Sequence, residues 1–191
     1  NGGKTVQFEY LKGETIGDVL GEQIQMGEVP YEALEEAMAL VFPEDYSEAV
    51  RGNRMSEIES AGMEDENAVR VNGEKNADSE IFVPDAEFKS VFGDVPEMSD
   101  RIVAVSNVDG LFENLMVSDG TVYGIDYEWV FDFPIPVNYI LCRSIYLVLY
   151  ENNRTDLVEK LIIDKLNITK EEYGIYQEME HQLQLWILGQ K

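Results

Sequence analysis

The chain has 191 residues, with 38 Asp plus Glu against 14 Lys plus Arg and a formal net charge of -24. That length can bury a core without disulfides and suits one domain, 1–191, whereas a surface this negative repels a phosphate backbone and excludes nucleic acid as a partner. The same acidity suits either collection of divalent cations or plain solvation of the surface, so charge alone assigns no function.

The chain opens with Asn1-Gly2-Gly3, without methionine or a charged-then-apolar leader, and reads as a piece cut from a longer protein. "TVQFEYL" alternates and is rich in β-branched and aromatic residues, which predicts a strand ending at Lys12-Gly13. "ETIGDVLGEQIQMG" carries Ile16, Leu20 and Ile24 at helical spacing with Gly27 as its stop. A second helix is expected from about Pro30, with Leu34, Met38 and Val41 on one face. Gly13, Gly17 and Gly21 lack the spacing of a phosphate-cradling loop and mark close helix packing instead.

Residues 53–80 are polar, acidic and almost free of aromatics, which predicts a mobile or partly helical insertion. "PDAEFKSVFGD" predicts a short helix that starts at Pro84 or Asp85, buries Phe88, Val91 and Phe92, and stops at Gly93. "RIVAVSN" predicts a short buried strand. "NLMV" and "TVYGID" flank Ser118-Asp119-Gly120, expected as a three-residue hairpin loop.

Three helices are expected after that: 136–151, apolar nearly all round; 154–166; and 170–188, where Thr169 and Glu172 form a capping box. In the last, Tyr173, Tyr176, Met179, Leu183, Trp186 and Ile187 form a core stripe, and His181, the one histidine, stands off it. Cys142 is the one cysteine, so it forms no disulfide framework and reads as a buried thiol. Its apolar run, "IPVNYILCRSIYLVLY", is 16 residues long and contains Arg143, too short and wrongly charged for a membrane span. The fold class expected is mainly α with a small β-hairpin or sheet (α+β).

Most of the acid is scattered, but "SNVDGLFENLMVSDGTVYGIDYEW" places Asp109, Asn114 and Asp126 at fixed distances around the expected hairpin. Two readings are open. Asp109-Gly110 and Asp119-Gly120 are ordinary turn dipeptides, with Asn114 a cap and Asp126 an edge residue. Alternatively, a hairpin brings its two ends together, so Asn114 and Asp126 meet at its base with Asp109 reaching over from the preceding loop. Oxygen ligands of that kind suit a hard divalent cation and a phosphate. Glu128 and Asp132 are further acids beside the site, each either a metal or substrate group or merely solvated. Trp129, Phe131 and Phe133 read as packing under it, with a sugar-stacking platform as the other option.

"NVDGLFEN" followed by "VYGIDYEW" resembles the catalytic loop and metal-binding segment of the protein-kinase-like superfamily, especially the aminoglycoside and choline kinase branch, which reads Asp-x-x-x-x-Asn and then Ile-Asp-x-Glu. The resemblance implies a kinase C-terminal lobe over nearly the whole chain. It implies Asp109 as catalytic base, Asn114 and Asp126 as ligands of magnesium or manganese, and "FEYLKG" as the hinge, with the backbone of Glu9, Tyr10 and Leu11 meeting the adenine of ATP.

"DYEWVFDFPIPVNYILCRSIY" and "YQEMEHQLQLWILG" are similar to kinase-like segments of long bacterial proteins that also carry methyltransferase or glycosyltransferase domains and modify cell-surface polysaccharide. That likeness implies a cytoplasmic parent with neighbouring transferase domains and a glycan or small hydroxyl acceptor. The chain departs from the family at Asn107, where histidine is usual, and at Asn138, where aspartate is frequent. It also lacks a glycine-rich loop and a strand lysine, so the expected partner is a missing N-terminal lobe. A non-catalytic, pseudokinase-like scaffold attached to those transferase domains is the alternative.

Overall fold

The computed structural model describes residues 12–41, 80–103, 106–118, 121–126 and 128–190. The expected first strand, the hinge residues Glu9, Tyr10 and Leu11, and nearly all of the acidic 53–80 segment lie outside the described residues; Glu80 itself opens a strand.

The first described elements are a two-residue strand, β1 (Glu14–Thr15), and helix α1 (Ile16–Gln25). The helix starts here because Thr15 and Asp18 form a reciprocal capping box: the Thr15 hydroxyl accepts the Asp18 N–H at 3.0 Å, and the Asp18 carboxylate accepts the Thr15 N–H at 3.3 Å. It ends before Gly27, whose φ of 88° suits glycine. Ile16, Leu20 and Ile24 are buried, as the periodicity predicts, and α2 (Tyr31–Val41) buries Leu34, Ala37 and Met38.

The glycine spacing has a packing cause. A Cβ on Gly17 would lie 3.1 Å from Glu113 backbone atoms, and one on Gly21 would lie 3.1 Å from the Asn152 side chain, so α1 packs tightly on both and a larger residue would make the neighbour shift by a few tenths of an ångström.

Strands β2 (Glu80–Phe82) and β3 (Met98–Asp100) pair antiparallel around α3 (Ala86–Phe92). Asp85 caps α3 by accepting the Phe88 N–H at 2.8 Å, and Gly93 closes it with φ 79°. Within the expected strand 101–107, two described pieces pair with different partners. Strand β4 (Ile102–Val103) pairs with β9 (Ile135–Pro136), and β5 (Ser106–Asn107) pairs with β8 (Val130–Phe131).

A 3₁₀ turn (Phe112–Asn114) leads into the hairpin β6 (Leu115–Ser118) and β7 (Thr121–Gly124). Ser118 pairs with Thr121, which leaves two residues between the strands rather than three; Ser118 is itself a ladder residue. Strand β1 adds to β6, giving the order β1-β6-β7 that alternation in the hairpin alone did not reveal.

Helix α4 (Val137–Glu151) crosses the core, and α5 (Lys170–Ile187) packs on it and on α3. The Thr169–Glu172 capping box forms as expected. Between them, the expected helix 154–166 is instead a 3₁₀ turn (Thr155–Leu157) followed by a π-helical turn (Glu159–Asp164). Leu161 and Ile162 are both buried in the π turn.

Phe88, Phe92, Phe131, Phe133, Tyr139 and Trp186 form an aromatic cluster where α3, α5 and the β8–β9 segment meet; Phe92 lies 4.8 Å from Phe88 and 5.4 Å from Tyr139, centroid to centroid. The architecture is α+β, with small sheets set against helices. Cys142 is buried and His181 is exposed. No helix among the described residues is long and apolar enough to cross a membrane.

Candidate functional site

The site is built on the loop between β5 and the 3₁₀ turn. Asn107 makes the loop: its side-chain oxygen accepts the Asp109 N–H at 3.0 Å, and its carbonyl accepts the Gly110 N–H at 3.2 Å. That Asx turn reverses the chain at Val108-Asp109. Asn107 is therefore the residue that shapes the loop.

Asp109 is only 8% exposed, and its Oδ2 accepts the Trp129 N–H at 2.7 Å. The Val108 N–H in turn bonds the Trp129 carbonyl at 3.1 Å, so the loop is stitched to the segment that follows the hairpin. Asn114 donates from Nδ2 to the Asp109 carbonyl at 2.9 Å. With the amide nitrogen engaged there, the side-chain oxygen of Asn114 remains as a hard acceptor.

The Asn114 carbonyl accepts the Ile125 N–H at 2.9 Å, which extends the β6–β7 ladder by one bond and leaves Asp126 exposed one residue further on. Asp109 and Asn114 are thus in direct contact, and Asp126 leaves the hairpin beside Asn114. Among the described residues no group of three or more His, Cys, Asp and Glu side chains is disposed to hold a metal. An amide oxygen and one exposed carboxylate nevertheless fit the chemistry of magnesium held with a nucleotide, which keeps several waters and takes few protein ligands.

Glu128 and Asp132 are exposed. Phe131 and Phe133 are buried in the aromatic cluster, stacked on each other at 4.9 Å, and Trp129 meets Trp186 edge-on at 5.4 Å. These rings pack under the loop, and the buried faces of Phe131 and Phe133 form no platform for sugar.

Two flanks hold the loop, and sequence reasoning missed the residues on both. On the α4–α5 flank, Arg143 donates from Nη1 to the Val108 carbonyl at 2.5 Å and from Nε to Glu180 Oε2 at 2.8 Å. The same Oε2 accepts the Tyr139 O–H at 2.9 Å. Burial and the neighbouring Glu180 charge push the Tyr139 hydroxyl well above its ordinary range, so it acts as a donor. The available signal was Arg143 itself: a cation inside an apolar helix requires a carboxylate partner.

On the α1 flank, Glu113 packs against Gly17 with both carboxyl oxygens buried, and among the described residues neither has a hydrogen-bond partner on another residue. Burial, with Glu151 and Asp18 nearby, raises its pKa to about 7 in spite of Arg143.

Comparison of the chain with protein-family models, curated proteins and solved structures gave no match.

Proposed function

We propose that the chain is the C-terminal lobe of a kinase-like phosphotransferase, in which Asp109 is the base and Asn114 and Asp126 hold magnesium or manganese with ATP. The observation that carries this reading is the Asn114 side chain. Its nitrogen is spent on the Asp109 carbonyl at 2.9 Å, and its backbone bonds the residue preceding the exposed Asp126, so an amide oxygen and a carboxylate stand at one hairpin end next to the Asp109 loop. A bound divalent ion would neutralise nucleotide phosphate oxygens there.

The chain's own residues orient the reaction. Asp109 would accept the proton of an acceptor hydroxyl once its Oδ2 exchanges the Trp129 amide for the substrate, and Asn107 holds the backbone on which it turns. A glycan or small hydroxyl compound is the acceptor class, in a cell-surface polysaccharide setting, and an N-terminal lobe carrying the glycine-rich loop and lysine would complete the nucleotide site. The hinge role of Glu9, Tyr10 and Leu11 belongs to the same reading.

The alternative, a scaffold attached to transferase domains, draws on the state of Asp109: a base that is 8% exposed and bonded to a backbone amide is tied into the structure. Calorimetry of Mn²⁺ with ATP separates the two. The phosphotransferase reading expects saturable binding that Asp126→Ala weakens at least tenfold. Binding unchanged by Asp126→Ala would mean diffuse capture by the acidic surface and would favour the scaffold.

A further inference from the structure

The geometry points to Arg143, held by Glu180, whose carboxylate Tyr139 also bonds, as the positioning residue of the Asp109 loop, a role that rests on the phosphotransferase reading for its catalytic meaning. Arg143 lies in the middle of α4, where an uncompensated guanidinium is strongly disfavoured. Its side chain is 9% exposed, and two of its donors are accounted for by partners on different elements: the Val108 carbonyl on the loop and Glu180 on α5.

Glu180 is the pivot. Its Oε2 accepts from both Arg143 Nε and the Tyr139 hydroxyl, while its Oε1 accepts from Gln184 at 2.8 Å, so both oxygens of the carboxylate are engaged from two helices. A planar guanidinium held through Nε by that carboxylate has its Nη1 aimed away from it in the plane of the group. That direction ends on the carbonyl immediately before Asp109. Three consecutive loop groups are then fixed in series: the Val108 carbonyl by Arg143, the Asp109 N–H by Asn107, and the Asp109 carbonyl by Asn114. Through this series, Arg143 sets both the carboxylate of Asp109 and the amide of Asn114 without touching either.

The network differs from the aromatic packing in kind, and Tyr139 belongs to both. The rings hold the segment carrying Trp129 by apolar burial, whereas Arg143 is the side chain from α4 that bonds the loop backbone.

The test uses Arg143→Met, Arg143→Lys and Glu180→Gln, with amide hydrogen exchange and Mn²⁺–ATP calorimetry read on each. In Arg143→Met the exchange rates of the Asp109 and Trp129 amides should rise at least tenfold, the amides of α5 should be unchanged, and Mn²⁺–ATP affinity should fall about tenfold. Arg143→Lys keeps a donor for the Val108 carbonyl and should restore most of both. Glu180→Gln keeps an acceptor but loses the charge that aims the guanidinium, and should fall between them.

Exchange at Asp109 and Trp129 that stays at wild-type rates, or rises in step with α5, overturns the positioning role, because loss of packing alone loosens all elements together. So does a local rise with no change of affinity in a chain that binds Mn²⁺–ATP. If the wild-type chain binds no Mn²⁺–ATP, the phosphotransferase reading fails, and the exchange pattern alone then decides whether Arg143 positions the loop.

Discussion

The loop from Asn107 to Asn114 is held by two flanks of opposite character. Toward α4 and α5, Tyr139, Arg143 and Glu180 form a polar network with its donors and acceptors matched, over a cluster of aromatic rings. Toward α1, Glu113 presents two buried carboxyl oxygens with no partner on another residue among those described, against a glycine that allows the backbones to touch. A matched network gives one conformation, whereas a buried unpaired acid costs free energy whenever it ionises. The difference shows that the loop is anchored from the α4–α5 side and only tolerated on the α1 side.

The largest break in that comparison is removal of the apolar floor. Phe92 has no exposed surface and touches four other rings, so Phe92→Ala should cost about 4 kcal/mol in denaturant unfolding. Next comes the pH dependence of the anchored side. Asp100, the last residue of β3, is buried, accepts the Tyr176 O–H at 2.8 Å, and has its pKa raised from 3.8 to about 6 by burial. A group whose folded pKa is raised contributes stability that is fully present below the unfolded value and is lost as pH rises through the folded one. Wild-type stability should therefore fall between about pH 4 and pH 6, by about 3 kcal/mol from this group, and Asp100→Asn should remove that part of the slope.

On the α1 side the sign is the same and the window is higher: Glu113, with its folded pKa raised to about 7, also loses stability as pH rises. Glu113→Gln keeps the shape and removes the charge, and at pH 8, above the raised value of about 7, it should stabilise the chain by about 1 kcal/mol. A destabilised Glu113→Gln would mean that the acid has a partner and that the two flanks are alike. The smallest effect sharpens the helical anchor: Thr169→Ala removes the capping box of α5 and should cost about 1 kcal/mol, with exchange rising first at the α5 N-terminus.

Local signals made the helices legible in the sequence. Thr169 with Glu172, Asp85 ahead of Phe88, and Gly27 and Gly93 as stops are short-range, and each one operates in the structure. The hairpin was legible from alternation, although its loop length was not, because Ser118 suits a turn and a ladder equally well. The π turn was hidden, since Leu157, Leu161 and Ile162 at i, i+4 and i+5 fit a regular helix equally well.

The same division holds at the site. Asp109, Asn114 and Asp126 were found by spacing, and the first two do touch. Arg143 and Glu180 lie 37 residues apart, and no local pattern links them; only the oddity of a cation in an apolar helix pointed toward a partner. Glu113 was invisible for the opposite reason, since an acid on a polar turn looks solvated until α1 closes over it.

The most direct test of the proposed metal site is a Mn²⁺ titration, with ATP present, followed by NMR line broadening. Selective broadening of the Asn114 side-chain amide and the Asp126 backbone amide at substoichiometric metal, abolished by Asp126→Ala, is the result expected of a formed site. Broadening spread over the acidic surface in proportion to local charge, with Asn114 no different from the rest, would contradict it.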